Sequence, residues 1–299
     1  MGTASASSWD VVIVGGGPAG LSAALNLARA RRRVLVIDSN RPRNSATFHS
    51  HGFLSRDGIS PLELRALGRA ELERYPEASF ARGAVSSIRP GFTVDYAGGT
   101  ASADAVIFAT GLREVPPVLP SLRTFYGTSI HSCLECDGYE YADAPIALIG
   151  ETDDMAERAL LLSQWSRDLI VFTNSRGVVT AAEETTLDRR GIRVDRRAVA
   201  DVTGDRTGVT GVVLADGETV PRVAVFIRPR YEAVLDYAAG LGLAQDGDGF
   251  LVVDGAGRAS LPGVYAVGEL TPPGPQQLIV AAGNGARVAA SINRDLIES

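Results

Sequence analysis

The chain has 299 residues, 45% of them hydrophobic and 21% charged, enough apolar material to bury real cores and to exclude wholesale disorder. Its formal charge is -6, from 29 basic and 35 acidic residues, and every basic residue is an arginine. An acidic chain with no basic run is not built for nucleic acid, and one without lysine cannot form a lysine Schiff base. Met1 to Asp10 is polar, with neither a charged start nor an apolar signal core, and Ala at position 6 departs from the myristoylation pattern. No apolar run approaches the ~20 residues that span a bilayer, so a cytoplasmic protein without a membrane partner is expected.

In chain order, Asp10 to Val14 is a β-branched apolar run that predicts a buried parallel strand. Gly15-Gly16-Gly17-Pro18-Ala19-Gly20 follows, then a helical stretch from Leu21 to Arg31 and a second strand, Val34 to Ile37, ending at Asp38. A glycine fingerprint between strand and helix, with an acid 18 residues after its last glycine, predicts a dinucleotide site. Gly15 permits the tight turn, Gly17 admits the pyrophosphate, and Gly20 lets helix and strand pack closely. The helix N-terminus offers free N–H groups to the phosphates, and Asp38 accepts from a ribose hydroxyl. Pro116, Pro117 and Pro120 mark a linker, and Arg228-Pro229-Arg230 a second hinge.

A second strand-turn-helix-strand unit runs from Ile146–Gly150 to Leu169–Phe172. With Gly150 set over Gly15, Thr152 stands for Gly17 and Met155 for Gly20, while Glu151, Asp153 and Asp154 crowd the phosphate position. Two like charges ~4 Å apart near a protein surface repel by about 4 kcal/mol, so this turn is read as scaffold whose carboxylates satisfy the helix N-terminus themselves. Phe250 to Val253 and Gly263 to Val267 read as strands, and Gln276 to Ile297 as a closing helix.

The only two cysteines, Cys133 and Cys136, form a C-x-x-C. In a cytosolic chain that spacing points to redox work. Ser132 and Glu135 match a capping box, which starts a helix at Cys133 and lowers its thiol pKa; a buried structural thiol pair is the competing reading. Two thiols and three histidines at their spacing do not make a four-ligand zinc site, so no metal is expected.

The glycine fingerprint, Phe108-Ala109-Thr110-Gly111, the C-x-x-C-D and Gly263-Val264-Tyr265-Ala266-Val267-Gly268-Glu269 occur in the order seen in low-molecular-weight thioredoxin reductases. The chain resembles that family from about residue 10 to residue 295. The resemblance implies an α/β protein of two Rossmann-like, three-layer ββα domains: an FAD domain split between 1–116 and 230–299, and a central NAD(P)-binding-like domain, 117–229. It also implies a homodimer. Carried over by position, Gly15, Gly17, Pro18, Ala19, Gly20 and Asp38 hold the FAD pyrophosphate and ribose, and Arg43, Asn44 and His51 lie along a segment that wraps the cofactor. Val85 matches a backbone contact to adenine, and Ala109, Thr110 and Gly111 a second FAD contact. Gly268 and Glu269 stand where the family has Gly-Asp, and Gln276, Gln277 and Leu278 where its closing helix starts beneath the flavin.

The family's reductases carry an intact second fingerprint and a basic cluster for the NADPH 2′-phosphate. Here the first is lost, and Thr173-Asn174-Ser175 leaves Arg176 as the remnant of the second. What remains resembles the FAD-dependent dithiol oxidases of sulfur natural-product biosynthesis, the gliotoxin and holomycin type, several of which have His where this chain has Asp137. The expectation is that a small-molecule dithiol reduces the Cys133–Cys136 disulfide by attack on Cys133, that Cys136 passes the electrons to FAD, and that O2 leaves as hydrogen peroxide. Asp137 is the candidate acid/base, with His131, His49 and His51 as other candidates for activating the substrate thiol. Two alternatives stand beside it: a disulfide reductase fed by NADPH or another donor, and a non-enzymatic flavin-bound redox sensor.

Overall fold

A computed structural model describes residues 7–272 and 274–298; residues 1–6, within the polar N-terminal segment and its tested myristoylation position, lie outside the described residues. The first stretch runs β1 (Ser7–Val14), α1 (Pro18–Arg29), β2 (Val34–Asp38), α2 (Pro61–Leu72), β3 (Ala78–Arg82), β4 (Val85–Arg89), β5 (Thr93–Tyr96), β6 (Gly99–Phe108) and β7 (Leu112–Val115). The middle stretch holds α3 (Leu122–Phe125), β8 (Ile130–His131), α4 (Leu134–Asp137), β9 (Ile146–Gly150), α5 (Met155–Leu162), β10 (Leu169–Phe172), α6 (Ala181–Asp188), β11 (Arg193–Asp195), β12 (Val199–Asp205), β13 (Gly208–Leu214), β14 (Thr219–Pro221), β15 (Ala224–Arg228) and β16 (Arg230–Ala233). β17 (Val264–Ala266) and α7 (Leu278–Glu298) close the chain. The fold is α/β, with two Rossmann-like units.

The first unit comprises Met1–Ser45, Gly52–Arg113 and Glu232–Ser299. Its sheet is ordered β3-β2-β1-β6-β5-β4, with β17 on β6. Strands β1, β2, β3, β6 and β17 pair in parallel, while β4 and β5 form an antiparallel meander. Alternation along β1 sends Val11 and Ile13 into a core with Ala23, Leu27, Val288 and Ile292, and Val12 and Val14 into another with Ile88, Val94 and Leu241. Such a strand, apolar on both faces, belongs in the middle of a sheet, which is where β1 sits.

The second unit, Ala46–His51 with Glu114–Tyr231, carries the parallel sheet β11-β10-β9-β15-β8 and the antiparallel β12-β13-β14. Residues 46–51 thus group with the middle of the chain although they lie within the first stretch; Gly127, at φ +83°, gives the carbonyl of Ala46 room that a Cβ would take.

Three expected elements shift. Helix α1 begins at Pro18, whose ring suits the first helical position, and ends at Arg29, with Arg31 in the left-handed region at φ 64°. The strand expected at Phe250–Val253 reduces to one bridge, Gln245 to Leu251, because the Asp246 carboxylate takes the N–H groups of Asp248 and Phe250 in a turn. Helix α7 starts two residues late, since Gln277 N–H is bonded to Pro275 O at 2.9 Å.

Helix α7 crosses α1 at a glycine. A Cβ on Gly285 would sit 2.0 Å from the Ala19 carbonyl oxygen, whereas one on Gly283 would meet nothing within 4 Å. We expect Gly285→Ala to cost about 1–3 kcal/mol by overpacking. Gly283→Ala should leave stability unchanged or raise it by up to ~1 kcal/mol through helix propensity. Urea denaturation of the two variants checks the contrast.

Candidate active site

The glycine turn of the first unit is held open by contacts that only glycine allows. Gly15 has φ 110°, and a Cβ there would lie 2.3 Å from the Ala109 carbonyl oxygen; one on Gly20 would lie 2.0 Å from the Gly15 carbonyl oxygen. Gly17 faces open space. It is the N-cap of α1 without a side-chain cap bond, Pro18 follows it, and no acid lies in the first turn, so the helix presents unoccupied N–H groups and its positive end. This is a cradle of the right chemistry for a pyrophosphate.

Asp38 ends β2 beside this turn with its carboxylate engaged. Arg65 and Arg69 both donate to Oδ2, and Asn40 N–H donates to Oδ1 at 3.2 Å. Arg65 is 6% exposed and also reaches the Gly16 carbonyl oxygen at 3.2 Å, and burial lowers its guanidinium pKa, opposed by the Asp38 charge. The expected ribose acceptor is therefore one corner of an arginine–aspartate–arginine cluster. Sequence reasoning missed those arginines; their i, i+4 spacing on α2 was the available signal.

Other expected cofactor residues gather in the same unit. Ala109 N–H donates to the Val14 carbonyl at 2.8 Å, Thr110 Oγ1 lies 3.3 Å from the Tyr237 hydroxyl, and Gly111 has φ 65° with the Glu269 carboxylate close by. Arg43 Nη2 pairs with Glu269 Oε1 at 2.5 Å, with Asn44 next to it in a 3-10 turn. Gly268, at φ 73°, takes the Asn284 side chain on its N–H at 3.2 Å. Val85 opens edge strand β4; Gln276 precedes α7, Gln277 caps it through its carbonyl to Ala281 N–H, and Leu278 is its first residue. His51 belongs to the second unit, with Nε2 3.5 Å from Glu140 Oε1.

Cys133 and Cys136 form a disulfide, with their Cα atoms 5.3 Å apart. The expected capping box does not form. Cys133 itself is the N-cap of α4, its sulfur accepting from Cys136 N–H at 3.2 Å, so Leu134 is the first helical residue. The reason is competition for Ser132: its hydroxyl donates to Glu114 Oε1 at 3.1 Å and touches the Tyr126 hydroxyl at 3.0 Å, while Tyr126 also donates to Glu114. Burial, then the Glu114 charge, raises the Tyr126 pKa. Glu135 is left exposed. Asp137 lies half in, its Oδ1 3.2 Å from Nδ1 of buried His131.

The turn after β9 is closed by its own side chains. Gly150 is the last strand residue rather than a left-handed turn residue, and a Cβ on it would lie 2.4 Å from the sulfur of fully buried Met155. Glu151 accepts from Asn174 Nδ2 at 2.6 Å and Arg176 Nη1 at 3.3 Å, so the basic remnant is spent on an acid. Asp154 pairs with Arg228 at 2.8 Å and accepts from Thr152 at 2.6 Å. It sits at the N-cap of α5 yet makes no side-chain cap bond, which corrects the expectation that these carboxylates satisfy the helix end. Glu151 and Asp154 pair with arginines instead.

Residues 9–285 match the family described as pyridine nucleotide-disulphide oxidoreductase. The chain is 30% identical to a thioredoxin reductase of Streptomyces coelicolor, over 94% of this chain and 91% of that protein. It is 29% identical to the thioredoxin reductase sirT of Leptosphaeria maculans, over 96% of this chain and 94% of the relative. The crystal structure of HlmI superposes with a TM-score of 0.92 at 37% identity, covering 100% of this chain and 95% of the other. The cradle at Gly15–Gly20 fits the FAD such proteins carry. Among the described residues no group of three or more His, Cys, Asp or Glu side chains is placed to hold a metal, and no helix is long and apolar enough to cross a membrane.

Asp38→Ala strands two guanidinium groups, one of them buried. Removing one partner of a buried pair costs about 3–5 kcal/mol, so the urea midpoint should fall accordingly; an unchanged midpoint shows that the cluster is not a structural keystone.

Proposed function

Because the chain belongs to the pyridine nucleotide-disulphide oxidoreductase family and is an FAD-dependent oxidoreductase acting on sulfur, we propose that it runs from thiol to flavin, as a dithiol oxidase. The substrate is a small-molecule dithiol of the kind closed during sulfur natural-product biosynthesis, the electron acceptor is O2, and the product beside the disulfide is hydrogen peroxide. The working unit is a cytoplasmic homodimer. Bound FAD supplies a two-electron sink that oxygen can empty.

The observation that carries this reading is the closed second turn. A nicotinamide dinucleotide needs a glycine where its pyrophosphate approaches, close packing of helix on strand and a positive charge; here Thr152 stands in place of Gly17, Met155 packs its sulfur against Gly150 in place of Gly20, and Glu151 pairs with Arg176. With that route closed, the Cys133–Cys136 pair is the remaining entry for reducing equivalents. A substrate thiolate attacks Cys133, Cys136 leaves, and the second substrate thiol displaces the mixed disulfide. Asp137 moves the protons; Pro18, Ala19 and the turn glycines would hold the cofactor diphosphate at the N-terminus of α1, and the paired Arg43 and Glu269 would lie among the residues that hold the rest of it. A second reading, a disulfide reductase fed by NADPH or another donor, draws on the printed names of the relatives, which call them thioredoxin reductases.

Anaerobic titration separates the two. Dithiothreitol should bleach the flavin absorbance and NADPH should not, with peroxide formed when air is admitted; rapid bleaching by NADPH reverses the assignment. Cys133→Ser and Cys136→Ser should each abolish thiol-dependent peroxide formation while FAD stays bound. Asp137→Asn should lower turnover by about 10²–10⁴-fold, the usual worth of a positioned acid/base.

A further inference from the structure

His131 is one of three histidines in the chain, ends β8 and is 7% exposed. Its ring lies against Phe226 and Tyr141, at centroid distances of 5.7 Å and 5.3 Å. Both nitrogens meet polar atoms: Nε2 lies 3.1 Å from the Tyr141 hydroxyl, and Nδ1 3.2 Å from Asp137 Oδ1. The Tyr141 hydroxyl is 2.6 Å from the Thr128 carbonyl oxygen, which only accepts, so its single hydrogen points there. The oxygen facing His131 is therefore an acceptor, and Nε2 must carry a hydrogen. That leaves Nδ1 opposite a carboxylate oxygen with side chains 7% and 16% exposed. A bare lone pair facing a carboxylate in such surroundings is repulsive, so one more proton sits between them.

We propose that His131 and Asp137 store one proton for the redox disulfide, with His131 as the positioning residue and Tyr141 fixing its tautomer. A hydrogen on Nδ1 completes a charge-assisted hydrogen bond to Asp137 Oδ1, so the resting pair is imidazolium and carboxylate. The charged and titratable groups facing the ring are Asp137 and Tyr141, with Glu140 beyond; burial, then the Asp137 and Glu140 charges, raises the Tyr141 pKa, which keeps that hydroxyl neutral.

The proposal deepens the reading of Cys133 and Cys136 as the redox centre and is independent of what finally receives the electrons. The first substrate thiol enters as a thiolate, its proton lost to water, and bonds to Cys133 as the S–S bond breaks. Cys136 departs with the bonding pair and takes the stored proton through Asp137, its chain neighbour. The second substrate thiol gives its proton to the emptied pair as it attacks the mixed disulfide, and Cys133 leaves as a thiolate that takes a proton from water. Two electrons and two protons pass from substrate to the cysteines.

Two measurements on the intact holoprotein test this. In protein labelled with ¹⁵N-histidine, at least one of the three rings should carry hydrogens on both nitrogens at pH 7.5, and that signal should be the one lost in His131→Gln. Three neutral rings overturn the proposal without any variant having to fold. The rate at which dithiothreitol opens the disulfide, followed anaerobically by alkylation and mass, should be about tenfold lower in His131→Gln at pH 7. The deficit should shrink towards none as pH rises and the wild-type pair loses its proton, with Tyr141→Phe in between. A deficit constant across pH marks a merely structural role and also overturns it. Neither readout involves oxygen or NADPH, so the oxidase reading can fail while this one stands.

Discussion

A sulfur atom packed against a glycine distinguishes the two strand-turn-helix units of this chain. Met155 packs its sulfur against Gly150 from the first position of α5, whereas in the first unit Gly20 approaches Gly15 with no side chain and Gly17 faces open space. One chain therefore carries the same strand-turn-helix arrangement twice, once emptied by glycines and once filled by a thioether. The charges follow the same division. At the first turn the acid, Asp38, is held aside by Arg65 and Arg69 and the helix end stays bare; at the second, Asp154 pairs with Arg228 and Glu151 with Asn174 and the exposed Arg176.

The redox pair sits in an arrangement built from the same economy of polar groups. Ser132 is drawn to Glu114 and Tyr126, which leaves the sulfur of Cys133 to receive the Cys136 N–H and begin α4. On the other side of the short helix, Asp137 faces His131, and His131 is held by Tyr141. Of the acids around the disulfide, Glu114 is placed by the hydroxyls of Ser132 and Tyr126 and Asp137 by the ring of His131, while Glu135 is exposed.

Much of this was legible in the residues. The β-branched runs at Val11–Val14 and Ile146–Ile149 form the expected central strands because their apolar character on both faces fits nothing else. The glycine turn was legible because each glycine answers a steric demand that the structure displays as a carbonyl at Gly15 and Gly20. What failed depended on partners distant in sequence. The Ser132–Glu135 box is a local pattern that lost to Glu114, 18 residues away, and Phe250–Val253 lost its ladder to the carboxylate of Asp246. Arg65 and Arg69 lie 27 and 31 residues from Asp38, and no local rule brings them there. The His131–Asp137 approach needed the chain to turn through α4 and was invisible as spacing.

Besides the initiating residue, Met155 is the sole methionine in the chain, and it is completely shielded. A thioether is converted by peroxide to a sulfoxide only when the oxidant reaches it, and buried groups are reached through local opening. A 16-dalton gain at this one residue would therefore act as a clock for breathing of the β9–α5 turn. The same shielding keeps the thioether packed into that turn out of the reach of oxidants.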